Sequence, residues 1–352
     1  MKSWIFEPTQ ELDQASLNAA KQHQQQLTKP PGSLGRLETI AEQFSAWQGA
    51  ANPILEKIKI TVFAGDHGVC QHNVSAFPQI VTTQMITNFL QGGAAISVLS
   101  RDLGAEFFLV NVGTVTPVDS ALHEHPAFRS ADIAPGTADF SQFPAMTESQ
   151  LEQALDVGRL AIDEFQGQLT IGGDMGIGNT TSASAIYAAT MGLMAAEVVG
   201  PGTGVDKLGI ERKQRIIEQA LTLHGQHLDK PYEILRRLGG LEIAALVAYF
   251  IRSAQRGIPV LVDGFIASAA ALLAVKINPG VRAWLLFSHQ SAEPAHKLML
   301  DYCQAKPLLA LGMRLGEGSG AAVAVPLLRS ALSLHNYMAT FTSAHISDKN
   351  SG

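Results

Sequence analysis

At 352 residues the chain can hold one large domain with a smaller accessory part, or two domains. Apolar residues make up 46% and charged residues only 16%, which suits an interior buried on several sides, as in a parallel sheet covered by helices on both faces. A net charge of −6 without a dense Lys/Arg cluster argues against nucleic acid, and two cysteines, Cys70 and Cys303, are too few for a disulfide framework and point to a reducing, cytoplasmic compartment.

The segment through Pro8 lacks the long apolar core of a secretion signal. Residues 9–28 are Gln-rich and read as an exposed helix. Lys29-Pro30-Pro31-Gly32-Ser33-Leu34-Gly35 must end it, and 37–47 reads as a second helix. From residue 58, short apolar runs alternate with helical stretches. The runs predict strands at 58–64, 106–112, 168–171, 259–263, 283–287 and 308–311. Helices are expected at 78–102, 148–165, 180–195, 208–224, 240–256, 265–275 and 291–304. Strand then helix, repeated, predicts a doubly wound, mostly parallel α/β sheet. The apolar stretches 180–196 and 241–251 are too mixed or too short to span a bilayer and read as buried helices, so no membrane partner is expected. A last helix is expected over 319–340, kinked at Pro326, before a frayed end at 347–352. Helices at both ends, outside the α/β repeat, predict a small helical domain from 1–57 and 321–352 beside a large domain, 58–320.

In an open α/β sheet ligands bind at the carboxyl ends of the strands. Five polar sets fall there: Asp66-His67-Gly68, the segment from Gly172 to Thr181, Asp263-Gly264-Phe265, Ser288-His289 through Glu293, and Arg314 to Gly320. In the second set, glycines allow backbone N–H groups to face a ligand, and Thr180 or Thr181 stands at a helix start, where an anion is favoured. The spacing matches neither the Gly-Lys-Ser/Thr phosphate loop nor GxGxxG, so an NTPase is disfavoured; a packing turn is the plain alternative. Gly316-Glu317-Gly318 holds a carboxylate where backbone can approach a flat ligand, with a simple helix-start acid as the alternative. Asp66, His67, His72 and His289 match no usual zinc spacing, and no G-x-S-x-G elbow accompanies Ser288 or Ser291.

Taken together, Lys29 through Glu38, Asp66-His67-Gly68, Gly176-Ile177-Gly178-Asn179-Thr180-Thr181, Asp263-Gly264-Phe265, Ser288-His289 with Ser291-Ala292-Glu293, and Arg314-Leu315-Gly316-Glu317-Gly318-Ser319-Gly320 resemble the nicotinate-nucleotide:dimethylbenzimidazole phosphoribosyltransferase family, in order over about residues 29–340. The resemblance implies a homodimer with a Rossmann-like large domain and a small helical domain, acting in cobalamin lower-ligand assembly. It implies transfer of ribose 5-phosphate from nicotinate mononucleotide to dimethylbenzimidazole, without redox cofactor or metal. It places the general base on Glu317 and the nucleotide loop on Asp174, Gly176, Ile177, Gly178, Asn179 and Thr180. Gly202, Lys213, Gly264, Phe265 and Ser291 match other nucleotide positions. The base pocket falls on Leu315 and the stretch from Phe77 to Met85, including Gln84.

Two departures stand out. Asp174 occupies a position where the family often has Glu, one methylene longer. Phe77 and Met85 stand where some members have Ser and Gln, which makes the pocket more apolar. A nucleotide hydrolase in which Glu317 activates water, and a non-catalytic nucleotide sensor, are the alternatives at this point.

Overall fold

The computed structural model describes residues 2–202 and 204–347, and the expected frayed end at 347–352 lies, apart from Ser347, outside the described residues. In chain order the first half contains α1 (Gln14–Gln26), α2 (Arg36–Gln48), β1 (Ile58–Gly65), α3 (Ile80–Leu90), α4 (Ala95–Leu103), β2 (Glu106–Gly113), β3 (Phe128–Ser130), α5 (Glu148–Asp163) and β4 (Leu169–Met175). The second contains α6 (Asn179–Met191), α7 (Ala195–Val198), α8 (Lys207–His224), α9 (Pro231–Leu238), α10 (Leu241–Gln255), β5 (Val260–Val262), α11 (Phe265–Ile277), β6 (Leu285–Phe287), α12 (Pro294–Tyr302) and α13 (Ser319–Tyr337).

The six strands form one sheet in the order β3-β2-β1-β4-β5-β6, and every neighbouring pair is parallel. This is a doubly wound order, whose direction reverses between β1 and β4 and leaves a crevice above their carboxyl ends. β1 reads Ile-Lys-Ile-Thr-Val-Phe-Ala-Gly and is buried along nearly its whole length, as β-branched and aromatic residues between two helical layers should be.

Adjacent glycines in β4 show how closely both faces are covered, because successive strand residues point to opposite sides. A Cβ at Gly172 would stand 2.6 Å from Leu246 and 2.8 Å from Phe250, both on α10. One at Gly173 would run into the backbone of Glu317 on the other face. α10 is buried almost end to end beneath the sheet. No helix among the described residues is long and apolar enough to cross a membrane.

The two chain ends meet. Gln24 Nε2 donates to His335 Nδ1 over 2.8 Å, Leu27 and Thr340 form an antiparallel bridge, and Phe341 N donates to the Gln26 carbonyl at 2.9 Å. The segment before α1 takes another course. Gln255 of α10 donates to the Trp4 carbonyl, and Trp284 Nε1 donates to the Gln10 carbonyl at 3.0 Å, so residues 4–10 lie along the sheet's helical cover.

Several expected elements change. The helix expected over 78–102 is two, parted at Gly92-Gly93; the break frees the N-terminus of α4, which becomes part of the site. The strand at 168–171 runs on to Met175, through glycines that read as a loop. The strand expected at 308–311 does not form. Leu309 makes one isolated parallel bridge to His289, after which Leu311 is 60% exposed, so an apolar run that leaves the sheet after one residue builds no ladder. β3 and α9 were not expected.

Candidate active site

The carboxyl ends of β4, β5 and β6 and the 314–317 loop enclose a cleft of about 380 Å³. α3 and the turn before it close the remaining side with Phe77, Val81 and Met85. A wider groove of about 550 Å³ lies over the opposite ends of β1 and β2, beside Lys59 and Glu106, and none of the strand-end motifs reaches it. The polar sets after β4, β5 and β6 and the 314–317 loop converge on the smaller cleft.

One end of the cleft is built for an anion. α6 begins at Asn179, its cap Gly178 supplies no side-chain hydrogen bond, and Asn179 and Thr180 line the cleft. The positive end of the helix therefore faces the cleft between Gly176 and Thr180. Lys213 on α8 is buried, and its Nζ donates to Thr180 Oγ1 over 2.9 Å. Burial pulls the Lys213 ammonium down to about 8, with Glu293 opposing the shift. Burial also raises the Glu293 carboxyl, against the pull of Lys213. Arg314 Nη1 donates to the Gly202 carbonyl at 2.9 Å, joining the 314–317 loop to the anion end. Ser291 is held from behind: its N–H donates to His296 Nδ1 at 2.8 Å, while burial lowers the imidazole to about 3 and keeps it neutral.

Asp66-His67-Gly68 supports this loop from beneath. Thr82 Oγ1 donates to Asp66 Oδ1 at 2.6 Å and accepts from Ile177 N at 3.2 Å. His67 pairs with Glu242 of α10 at 2.7 Å, Cys70 Sγ donates to the Ile177 carbonyl at 3.0 Å, and His72 lies on Asp139. These side chains are spent on packing the turn.

Glu317 stands at the other end. Its φ of +64° is left-handed, and its neighbours Gly316 and Gly318 are also left-handed, at +92° and +87°. A non-glycine residue with this backbone is uncommon and marks a position held by its surroundings. Its N–H donates to the Asp174 carbonyl at 3.2 Å. Its Oε2 accepts from Ile96 N at 3.4 Å, at the freed N-terminus of α4. Burial raises its carboxyl above the ordinary 4.5; the Ile96 N–H opposes and the Asp263 charge reinforces the shift. A carboxylate of raised proton affinity, at the edge of a cleft, is suited to take a proton.

Asp174 lies between the two ends. Asn179 Nδ2 donates to its Oδ2 at 3.0 Å, and burial, then Asp263, Glu242 and Glu317, hold its carboxyl well above the usual range. The wall across from it is apolar. Phe77 is 52% and Leu315 59% exposed at the mouth, with Met85 and Ile177 deeper, and Phe265 is fixed by the Tyr187 hydroxyl donating to its carbonyl at 2.6 Å.

The cleft therefore brings together Phe77, Met85, Asp174, Gly176, Ile177, Asn179, Thr180, Gly202, Gly264, Phe265, Ser291, Leu315 and Glu317. Gly178 and Lys213 stand just behind its wall. Gln84 does not join it: one position from Met85 on α3, it points to solvent. It is about 100° around the helix from Met85, a distinction lost when the stretch is read as a block.

A family model described as a phosphoribosyltransferase matches residues 9–346. A Pseudomonas putida (strain F1) protein named nicotinate-nucleotide–dimethylbenzimidazole phosphoribosyltransferase is 53% identical over 351 residues, covering 99% of each chain. The chain belongs to the nicotinate-nucleotide–dimethylbenzimidazole phosphoribosyltransferase family. An Azotobacter vinelandii relative of the same name is 52% identical over 98% of both chains. The crystal structure of a Thermus thermophilus protein of that name superimposes with a TM-score of 0.87 at 40% identity, over 96% of this chain and all of that one.

Within the family reading, His289, Glu293 and Arg314 are cleft residues to which the sequence assigned no role, although each stands in a motif that carried the resemblance. Their strand-end position was the available signal.

Proposed function

We propose that this chain transfers the phosphoribosyl group of nicotinate mononucleotide to dimethylbenzimidazole or a related base, releasing nicotinate and α-ribazole phosphate in cobalamin lower-ligand assembly. One observation carries the reading: an open helix end beside Lys213 and a buried carboxylate, Glu317, face one cleft of about 380 Å³ with an apolar wall between them. A nucleotide phosphate suits the first, a ring N–H the second, and a flat apolar base the wall.

Nicotinate in the nucleotide is already a cationic leaving group, because its ring nitrogen is bonded to C1′. Departure leaves it neutral and needs no acid. One nitrogen of the incoming base attacks C1′ while the other still carries a proton. Glu317 takes that proton, so no cationic product accumulates. Attack opposite the leaving group converts a β-linkage into an α-linkage. The open end of α6, Lys213 and Ser291 hold the phosphate. Phe77, Met85 and Leu315 hold the base, and fixing both partners in line removes several kcal/mol of barrier, on the order of the proximity effect.

The homodimer, a cytoplasmic setting and the two-domain division belong to the same proposal. Free Cys70 and Cys303 fit a reducing compartment. The apolar mouth formed by Phe77, Ile80 and Leu315 fits cover by a second copy. The contacts of α1 and α2 with α13 fit a helical domain from 1–57 and 321–352 beside 58–320, except that residues 4–10 lie along the cover of the sheet.

The test is product analysis with nicotinate mononucleotide, with and without dimethylbenzimidazole. Transfer predicts nicotinate only when base is present, in step with α-ribazole phosphate. Nicotinate release without base would favour a hydrolase, and saturable binding without product a sensor.

A further inference from the structure

Glu317 is followed by Gly318, the cap residue of α13. Gly318 has no side chain with which to cap that helix, and a Cβ there would stand 3.1 Å from Ile171. The unpaired N–H groups of the first turn must therefore find an acceptor elsewhere. They find it on Asp263, just past β5. Asp263 Oδ2 accepts from Gly318 N at 3.2 Å, and Oδ1 accepts from Ala321 N at 2.9 Å. The residue is 1% exposed, and both carboxylate oxygens are occupied by backbone donors from the loop that carries the base.

We propose that Asp263 is a positioning residue of the reaction: by capping α13 from β5 it holds the left-handed turn 316–318, and through it the Glu317 carboxylate, against the cleft. The inference rests on the functional reading above. Glu317 is directly bonded to the clamped Gly318, and its own N–H is tied to the Asp174 carbonyl at 3.2 Å. The turn is thus held by the ends of β4 and β5 together. A side chain placed this way is preorganised, and a displacement of about 1 Å can cost on the order of 100-fold in rate.

Asp263 also acts through its charge, which raises the proton affinity of Glu317. The other ionisable groups lining the cleft with Glu317 are Asp174 at the end of β4, His289 after β6, whose Nδ1 lies 3.8 Å from Asp263 Oδ1, Glu293 before α12, and Arg314 in the same loop. From α4 the carboxylate meets only the Ile96 N–H. Removing the Asp263 charge and freeing the Glu317 carboxylate from its buried place both make Glu317 easier to ionise, whereas a defect confined to substrate binding would leave its titration in place.

The experiment uses the full chain with Asp263→Asn and Asp263→Ser, which keep one acceptor each and no charge. Two readouts are taken: steady-state transfer against pH, and the Glu317 titration by NMR of carboxyl-labelled glutamate, assigned with Glu317→Gln. The expected result is a loss of kcat of about 10- to 100-fold, with both KM values within about threefold. The Glu317 midpoint and the acid limb of the rate profile should both move to lower pH. Unchanged kcat overturns the proposal, and so does lost kcat with an unmoved Glu317 midpoint. Failure of both variants to fold would make Asp263 a residue of the core and overturn it as well. A wild-type protein that transfers nothing would count against the functional reading alone, because the NMR titration still tests the Asp263–Glu317 link.

Discussion

Lys213→Met removes the buried cation from the anion end of the cleft while keeping an unbranched side chain of similar length. In the wild type the ammonium is 2.9 Å from Thr180 Oγ1, at the open end of α6, and it is the nearest buried cation to a phosphate seated there. Two unit charges about 4 Å apart interact by roughly 4 kcal/mol at the effective dielectric of partly buried sites. Desolvation removes part of that, and a hydrogen bond to a charged group contributes about 1.5–3 kcal/mol net. The variant should therefore lose about 10- to 150-fold in kcat/KM for the nucleotide. KM for the base should stay within about threefold, because the apolar wall is untouched. The pH profile supplies a second signature. Burial brings the Lys213 ammonium down to about 8, so the free enzyme loses this charge as pH rises through that value. Wild-type kcat/KM for the nucleotide should fall above about pH 8, and the fall attributable to Lys213 should vanish in the variant. Initial rates over roughly pH 6–10, with the nucleotide varied at saturating base, give both numbers. An unchanged nucleotide kcat/KM, or a loss confined to the base, would refute the placement of the phosphate beside Lys213.

Gly173→Ala should force the Glu317 turn away from β4, because its Cβ would run into the Glu317 backbone. Overpacking of this kind costs about 1–3 kcal/mol, so thermal melting should show a drop of several degrees and kcat should fall at least about tenfold. Phe77→Ser and Met85→Gln should each raise the KM for dimethylbenzimidazole by about five- to tenfold, roughly what covering half a large apolar side chain contributes. Competition between dimethylbenzimidazole and adenine should then shift toward the more polar base; unchanged selectivity would remove these residues from the base pocket.

Much of the sheet could be read from apolar runs ending in Gly or a polar residue, and the strand-end rule pointed to the cleft from sequence alone. What escaped the sequence did so for identifiable reasons. β3 is three residues long and α9 eight, each too short for periodicity to register. Gly172 and Gly173 read as a loop, yet they continue β4 because bulky neighbours on one face and the Glu317 backbone on the other leave room only for hydrogen. Leu308 to Leu311 has strand composition, but beyond the backbone bonds of Leu308 and Leu309 to Phe287, Ser288 and Gln290 it forms one isolated bridge and no ladder, since pairing depends on where the chain goes after Pro307. Asp263 was visible as a strand-end acid. Its grip on α13 was not, because it joins residues 55 and 58 positions apart. A contiguous stretch was assigned to the pocket, whereas the structure brings Phe77, Val81 and Met85 of it to the cleft and leaves Gln84 facing solvent.

The most direct test of the account is Glu317→Gln, with binding and turnover measured on the same preparation. The amide keeps the shape and the Ile96 contact but cannot take a proton. Dissociation constants for nicotinate mononucleotide and for dimethylbenzimidazole should stay within about threefold, while kcat for α-ribazole phosphate formation falls by at least about 100-fold. A variant that still turns over near the wild-type rate would contradict the claim that this carboxylate removes the proton of the attacking base.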